Sequence, residues 1–159
     1  MHNALITADT IYEVIIMANE KELLNSISET ADMGCESLRQ VIGKAENDGL
    51  KHALQTQLVE YEKHYSAASK LLEVYGEEAP SASPVAIINS RITADFKTLF
   101  TENSTSKIAE MVMQGSTMGV TKVTKALHAY HGNNEEIKAL AERLIKTEEA
   151  NIEEMKKFL

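Results

Sequence analysis

The stretch LKHALQTQLVEYEKHYSAASKLL, residues 50–72, decides the fold class of this chain. Its apolar residues recur at intervals of three and four, which places their side chains on one face of an α-helix. The inward residues are Leu50, Leu54, Leu58, Tyr61, Tyr65, Ala68 and Leu72. The turn residues Asn47-Asp48-Gly49 precede the stretch, and Gly76 follows it as a helix-ending glycine. The pattern predicts one long amphipathic helix with a single buried face.

Three other segments have the same helical periodicity. They are predicted at about residues 20–46, 105–130 and 135–159. Asn19, with Glu22 three residues later, is expected to cap the first of these helices. Residues 77–104 connect the second and third helices, and they are long enough to cross the molecule and to contain a shorter helix. Four long helices with one crossover predict an all-α fold, a four-helix bundle in the ferritin-like arrangement.

A chain of 159 residues is most simply one domain, residues 1–159. Residues 1–18 precede the predicted bundle as an N-terminal extension. The β-branched run in residues 10–18 could form a strand, but no second strand is predicted to pair with it, so we expect a short helix. This extension is expected to cover one side of the bundle or to mediate self-association.

Charge and hydropathy exclude several classes of function. The net charge of −8 and the lack of a basic cluster argue against binding to nucleic acid or to an anionic membrane. The N-terminal apolar run lacks a cationic start and is interrupted by Asp9 and Glu13, so it does not resemble a signal peptide. No stretch approaches the roughly 18 apolar residues that a membrane span needs. With the single cysteine Cys35, these features predict a cytoplasmic protein.

The middle of the bundle is where ferritin-like di-metal proteins hold their ligands. These are one Glu from each of two helices and a Glu-x-x-His pair from each of the other two. The second helix has Tyr61 and His64 at this spacing, so the histidine is present but a tyrosine stands in place of the glutamate. The fourth helix has Glu148 and Asn151, so the glutamate is present but an asparagine replaces the histidine. Each half of the motif has lost a different member.

The other two helices supply even less. The first helix offers Glu36, which is rotated away from the apolar stripe. The third helix has no Asp or Glu between Glu110 and Glu135, and its middle is GSTMG, residues 115–119. These glycines predict close backbone approach, and they could also line a small central cavity beside Tyr61. At most three of the six expected metal ligands are therefore present, namely Glu36, His64 and Glu148.

Residues 38–72 together with the closing EEANIEEMKKFL, residues 148–159, resemble small bacterial ferritin-like proteins allied to rubrerythrin. The resemblance covers about residues 20–159 and rests on helix lengths, turns and incomplete ligand tetrads. It implies the bundle fold and a homo-oligomer, most simply a dimer. It does not imply the family's di-iron or peroxidase activity, because Tyr61, Asn151 and the third helix depart from the ligand pattern.

Two functions follow from these residues. The first is a binding or assembly role without a functional di-iron centre, in which Tyr61, His64, Glu148 and Asn151 form a polar core cluster and His64 hydrogen-bonds Glu148. We expect no cofactor in that case. The alternative is a metal-dependent oxidoreductase or metal-storage protein that holds iron or manganese with a reduced ligand set. No nucleophile–base pair or phosphate-binding loop occurs, so no catalytic residue is assigned and a non-enzymatic role is favoured.

Overall fold

A computed structural model describes residues 7–80 and 105–159 of the chain. These residues form four long helices and one short 3₁₀ turn. Their bounds are α1 Ala8–Ile42, α2 Asp48–Val74, α3 Thr105–Ala129 and α4 Glu135–Met155, with the 3₁₀ turn at Lys156–Phe158. The helices pack against one another, and the described residues contain no strand. The all-α four-helix bundle predicted from the sequence is confirmed.

Asparagine side chains cap the first turns of α2 and α4. The Asn47 side chain accepts a hydrogen bond from the backbone N–H of Leu50 at 2.9 Å, so α2 begins directly after the predicted turn. The Asn134 side chain caps α4 in the same way, by accepting from the N–H of Ile137. Beyond the end of α2, Gly76 takes a positive φ of 69°, which glycine adopts without strain.

The start of α1 differs from the prediction. The segment over residues 10–18 is helical as expected, but it continues without a break into the rest of α1, which Thr7 caps. The predicted cap Asn19 lies inside this helix, where its side-chain amide donates to the carbonyl oxygen of Ile15 at 2.9 Å. The reason is local: no Gly or Pro interrupts residues 8–33, so a capping residue alone does not end the preceding turns. At its other end α1 stops at Ile42, before the predicted limit.

Contacts at one end of the bundle show that two of the helices run in the same direction. The carboxylate of Glu20 on α1 accepts hydrogen bonds from Tyr75, just beyond α2, and from Tyr130, just beyond α3. Helices α2 and α3 therefore end at the same place and run in the same direction. The segment that connects them must join opposite ends of the bundle, which are about 37 Å apart for a helix the length of α3. The shorter helix predicted within residues 77–104 falls almost entirely outside the described residues.

The core is apolar toward both ends and polar in the middle. Near Glu20 it contains Leu24, Ile27, Leu72 and Ile137, and toward the opposite end it contains Leu38, Leu54 and Met155. Between these layers lie buried polar side chains from all four helices. They are Thr30, Gln57, His64, Ser116, Glu148 and Asn151. Burying polar groups costs free energy unless they are paired, so this layer is where a function is to be sought.

None of the helices in the described part of the chain combines the length and the apolar character needed to cross a lipid bilayer.

Candidate functional site

Glu148 lies at the centre of the polar layer. Its side chain is on α4 and only 2% exposed, and Tyr61 on α2 donates its hydroxyl to Oε2 at 2.5 Å. The same tyrosine oxygen accepts a hydrogen bond from Asn151 Nδ2 at 3.3 Å and lies 3.4 Å from Ser116 Oγ on α3. The structure thus brings Tyr61, Glu148 and Asn151 together, and it adds Ser116, which the sequence did not single out.

His64 lies beside this cluster with a different partner. Its Nε2 is 2.9 Å from Oγ1 of Thr147, and that hydroxyl donates to the carbonyl oxygen of Arg143. The oxygen of Thr147 therefore accepts from the imidazole. Burial lowers the pKa of His64. The negative charge of Glu60 opposes this shift, and the positive charge of Arg143 adds to it. The hydrogen bond expected between His64 and Glu148 is not formed, because consecutive residues of α4 point about 100° apart and Thr147 is the one that faces His64.

Glu36 is not part of the polar layer. Its carboxylate pairs with Arg39 at 2.8 Å, and Arg39 also pairs with Glu62 on α2 at 2.9 Å, so the three side chains form a half-exposed surface network. The structure therefore does not bring the candidate ligands Glu36, His64 and Glu148 together. Within residues 7–80 and 105–159, no group of three or more His, Cys, Asp or Glu side chains is placed to hold a metal ion.

A groove between α1 and α3 leads to the Glu148 carboxyl group. We call it the α1–α3 groove. Its cavity volume is about 220 Å³, which is the volume that about seven water molecules occupy in liquid water. Tyr61 and Glu148 line its inner end. Its walls are mostly apolar or small and include Met33, Gly34 and Leu38 on α1, with Met111, Gly115 and Met118 on α3. The cavity that the GSTMG stretch suggested is thus present, and Tyr61 borders it as predicted.

Glycines provide the room for this arrangement. A Cβ atom at Gly119 would lie 2.3 Å from Oε1 of Glu148, so the carboxyl group packs directly on the backbone of α3. A Cβ atom at Gly34 would lie 2.7 Å from the Tyr61 ring, which packs on α1 in the same way. At Gly115 an added Cβ would meet nothing within 4 Å, because this residue faces the open groove. Gly34 and Gly119 therefore make room for the Tyr61–Glu148 pair, while Gly115 leaves open space beside it.

Burial dominates the electrostatics of the site. It raises the pKa of Glu148 to about 7, and the hydrogen bonds from Tyr61 and Ser116 only partly oppose this. Burial and then the neighbouring Glu148 also raise the pKa of Tyr61, which keeps that hydroxyl protonated as a donor. No ion pair in the described part of the chain includes Glu148. The carboxyl group is thus stabilised by dipoles rather than by an opposite charge.

Two further side chains, Thr30 and Cys35, are buried on α1. Thr30 lines the α1–α3 groove, is 5% exposed, and its Oγ1 has no hydrogen-bond partner among the described residues. Sequence analysis missed Thr30 and Gly34, since a threonine or glycine on a helix carries no signal of its own. Cys35 is buried next to them, and burial raises its pKa to about 11, as expected for an unreactive core cysteine.

These features define an all-α four-helix bundle with a buried tyrosine–carboxyl pair at the inner end of a groove. The chain belongs to the family described as a domain of unknown function, DUF2383, whose model matches residues 19–129. No curated protein and no solved structure matches the chain. The matched range covers Tyr61, Ser116 and Gly119, whereas Glu148 and Asn151 lie beyond it on α4.

Proposed function

We propose that this protein is a ferritin-like bundle that binds a small molecule in the α1–α3 groove, with Glu148 and Tyr61 as the polar end of the site. The observation that carries the proposal is a buried carboxyl group with a raised pKa at the inner end of an otherwise mostly apolar cavity. A concave apolar site with a few convergent polar groups is the usual form of a small-molecule site. Perturbed titratable groups also concentrate at functional sites.

The ferritin-like relationship is supported by helix directions and by residue positions. Helices α2 and α3 run in the same direction, as a crossover bundle requires. Tyr61 and Glu148, which occupy the two glutamate positions of the Glu-x-x-His tetrads, hydrogen-bond each other at the bundle centre. A phenol thus stands where a second carboxylate would be, which converts a pair of anionic ligands into one donor and one acceptor. This favours binding of a ligand over storage of a metal.

Binding is tested by NMR titration of the ¹⁵N-labelled protein with benzyl alcohol, a small probe with an apolar ring and one hydroxyl. We expect saturable shifts at the amides of Thr30, Ser116 and Gly119. Gly115→Leu fills the groove and should abolish these shifts, because the added side chain enters the open space beside Gly115. Thr117→Leu is the matched control, since Thr117 is exposed on α3 and does not line the groove. Equal binding by the parent and Gly115→Leu would refute the site.

The metal-dependent alternative has its own test. Untagged protein from medium supplemented with iron and manganese is subjected to elemental analysis, together with His64→Ala and Glu148→Gln. The geometry offers this alternative no support, because His64 faces Thr147 and Glu36 faces Arg39. One metal ion per chain, lost in either variant, would nevertheless establish the alternative and displace the small-molecule proposal.

We also propose that the first turns of α1 mediate a homodimer. Large apolar side chains on this segment are between 44% and 62% exposed. They are Ile11, Tyr12, Val14, Ile15 and Met17. Ile11, Val14 and Ile15 are spaced so that they share one face of the helix, which can pack against the same face of a second copy about a two-fold axis.

The dimer is tested by light scattering on Ile11→Glu/Ile15→Glu. We expect the mass to fall from two chains to one, because two carboxylates would be buried at the interface. Val74→Glu is the control, since Val74 is 80% exposed at the end of α2. An unchanged mass in the double variant, or a monomeric parent, would remove this proposal.

A further inference from the structure

The charges of the α1–α3 groove are unequal at its two ends. Lys122 lines the outer part and forms an ion pair with Glu29 at 2.5 Å, in which both side chains are about 40% exposed. At the inner end Glu148 is 2% exposed, and the residues in the described part of the chain that hydrogen-bond to it, Tyr61 and Ser116, are neutral. The charge of Lys122 is therefore already balanced by Glu29, whereas an ionised Glu148 has no oppositely charged partner among the described residues.

The inner end of the groove also has more hydrogen-bond acceptors than free donors. Tyr61 directs its one hydroxyl hydrogen to Oε2 of Glu148, so this donor is used within the protein. Thr30 is more than nine-tenths buried, lines the groove, and its Oγ1 has no partner in the described part of the chain. The Glu148 carboxylate thus borders the inner end of the groove, and the unpartnered hydroxyl oxygen of Thr30 is buried in the groove wall. A carboxylate and a hydroxyl oxygen are both hydrogen-bond acceptors.

We propose that the ligand of the α1–α3 groove is a small apolar amine, whose ammonium group binds against Glu148 and Thr30 and whose hydrocarbon part lies between Met33, Met111 and Met118. This inference rests on the proposed function and specifies the chemical class of the ligand. A protonated amine supplies both the positive charge and the donors that the inner end lacks. Flexible methionine side chains accommodate hydrocarbon groups of varied shape.

Other ligand classes fit the same end less well. A neutral alcohol can donate one hydrogen bond, but it leaves the carboxylate without a counter-charge. A carboxylic acid ligand would place a second negative charge beside Glu148 in a site where charges are poorly screened. The cation of Lys122 does not favour such an anion strongly, because Glu29 already accepts its ammonium group. The observations therefore select a cation with an apolar body.

The test compares benzylamine, benzyl alcohol and benzoate, which share one aromatic ring and differ in the polar group. Calorimetric titrations are run on the full chain at about pH 8, where Glu148 is ionised and an alkyl amine is protonated. We expect benzylamine to bind at least about tenfold more tightly than benzyl alcohol, and benzoate to show no saturable binding. Glu148→Gln should remove the preference for the amine, so that benzylamine binds no more tightly than benzyl alcohol.

Two further variants keep the test decisive. Glu149→Gln makes the same change one residue away at an exposed position, and it should retain the full preference for benzylamine. Thr30→Val preserves the shape of the side chain but removes its oxygen, so we expect a several-fold loss of benzylamine affinity with the alcohol less affected. Thr30→Val also provides an answer if Glu148→Gln fails to fold.

The outcomes separate the two proposals. If benzyl alcohol binds as tightly as benzylamine and Gly115→Leu abolishes both, the groove is a binding site but the amine assignment is wrong. A preference for benzylamine that survives in Glu148→Gln likewise overturns the assignment. If none of the three compounds binds the parent, both the amine assignment and the proposed function are overturned.

Discussion

Two tyrosine–carboxyl contacts in this bundle have similar chemistry and different surroundings. At the centre, Tyr61 donates to Glu148, which is 2% exposed. At the end of the bundle, Tyr75 donates to Glu20, whose other oxygen accepts from Tyr130 at 3.3 Å; Glu20 and Tyr75 are half-buried, and Tyr130 is 7% exposed. The comparison shows that the same pair of groups links helical segments at the end of the bundle and borders a cavity at its centre.

The contact at the end of the bundle is a structural link. Glu20 joins α1 to the segments that follow α2 and α3, and the hydroxyl of Tyr130 accepts from the N–H of Asn134 at 3.1 Å. Burial and the nearby Glu20 raise the pKa of Tyr75 to about 12. Glu20 does not line the α1–α3 groove, and its two oxygens link three helical segments. The central pair, in contrast, borders open space.

We expect the two contacts to differ most in stability when the carboxylates of Glu148 and Glu20 are each replaced by a neutral amide. Since burial raises the pKa of Glu148 from 4.5 to about 7, this group destabilises the folded state as pH rises through that interval, by at most about 3 kcal/mol above pH 7. Glu148→Gln should therefore raise the free energy of unfolding at about pH 8, and the gain should vanish near pH 4. Urea denaturation at several pH values measures it.

The matched substitution at the other contact has the opposite sign. Glu20→Gln replaces a charged acceptor of two tyrosine hydroxyls by a neutral one, so it should lower stability by about 1 kcal/mol at about pH 8. If both variants shift stability in the same direction, the distinction between the two contacts does not hold.

Removing the donors gives the next largest effect. Tyr61→Phe leaves a buried carboxyl group without its closest partner and should cost about 2 kcal/mol at neutral pH. Tyr75→Phe should cost about 1 kcal/mol or less, because water can reach Glu20 in its place. Thermal unfolding of the two variants measures the difference. Equal costs would show that burial does not separate these contacts.

Two glycine substitutions test how closely the helices pack around Tyr61. Gly34→Ala forces a methyl group to within 2.7 Å of the Tyr61 ring, so the loss from overpacking should exceed the gain in helix propensity and leave a net cost of about 1 kcal/mol. Gly115→Ala meets nothing within 4 Å and should stabilise α3 by about 0.5–1 kcal/mol. Opposite signs in thermal unfolding are expected; a stabilised Gly34→Ala would mean that the ring is free to move.

The smallest effect is expected at Glu36. Its ion pair with Arg39 lies on the half-exposed surface, so Glu36→Gln should change stability by less than about 0.5 kcal/mol. It should also leave benzylamine binding unchanged. A marked loss of binding in this variant would show that Glu36 belongs to the site after all.

Much of the fold follows from the sequence alone. The 3.6-residue periodicity predicted four amphipathic helices, and α2 begins at the turn predicted at Asn47-Asp48-Gly49. The spacing of the incomplete Glu-x-x-His tetrads predicted a polar core cluster of Tyr61, His64, Glu148 and Asn151, in which hydrogen bonds join Tyr61 to Glu148 and Asn151. Such features depend on short-range interactions, which a sequence pattern records directly.

Which of these groups contact one another depends on how the four helices pack together. Tyr61 rather than His64 reached Glu148, because the packing of α2 against α4 places Tyr61 opposite Glu148 and His64 opposite Thr147. Thr30 and Gly34 joined the site because α1 approaches α3 and α2 at those residues. Helix periodicity determines which face is buried, whereas the relative rotation and spacing of packed helices determine the partner of each buried side chain.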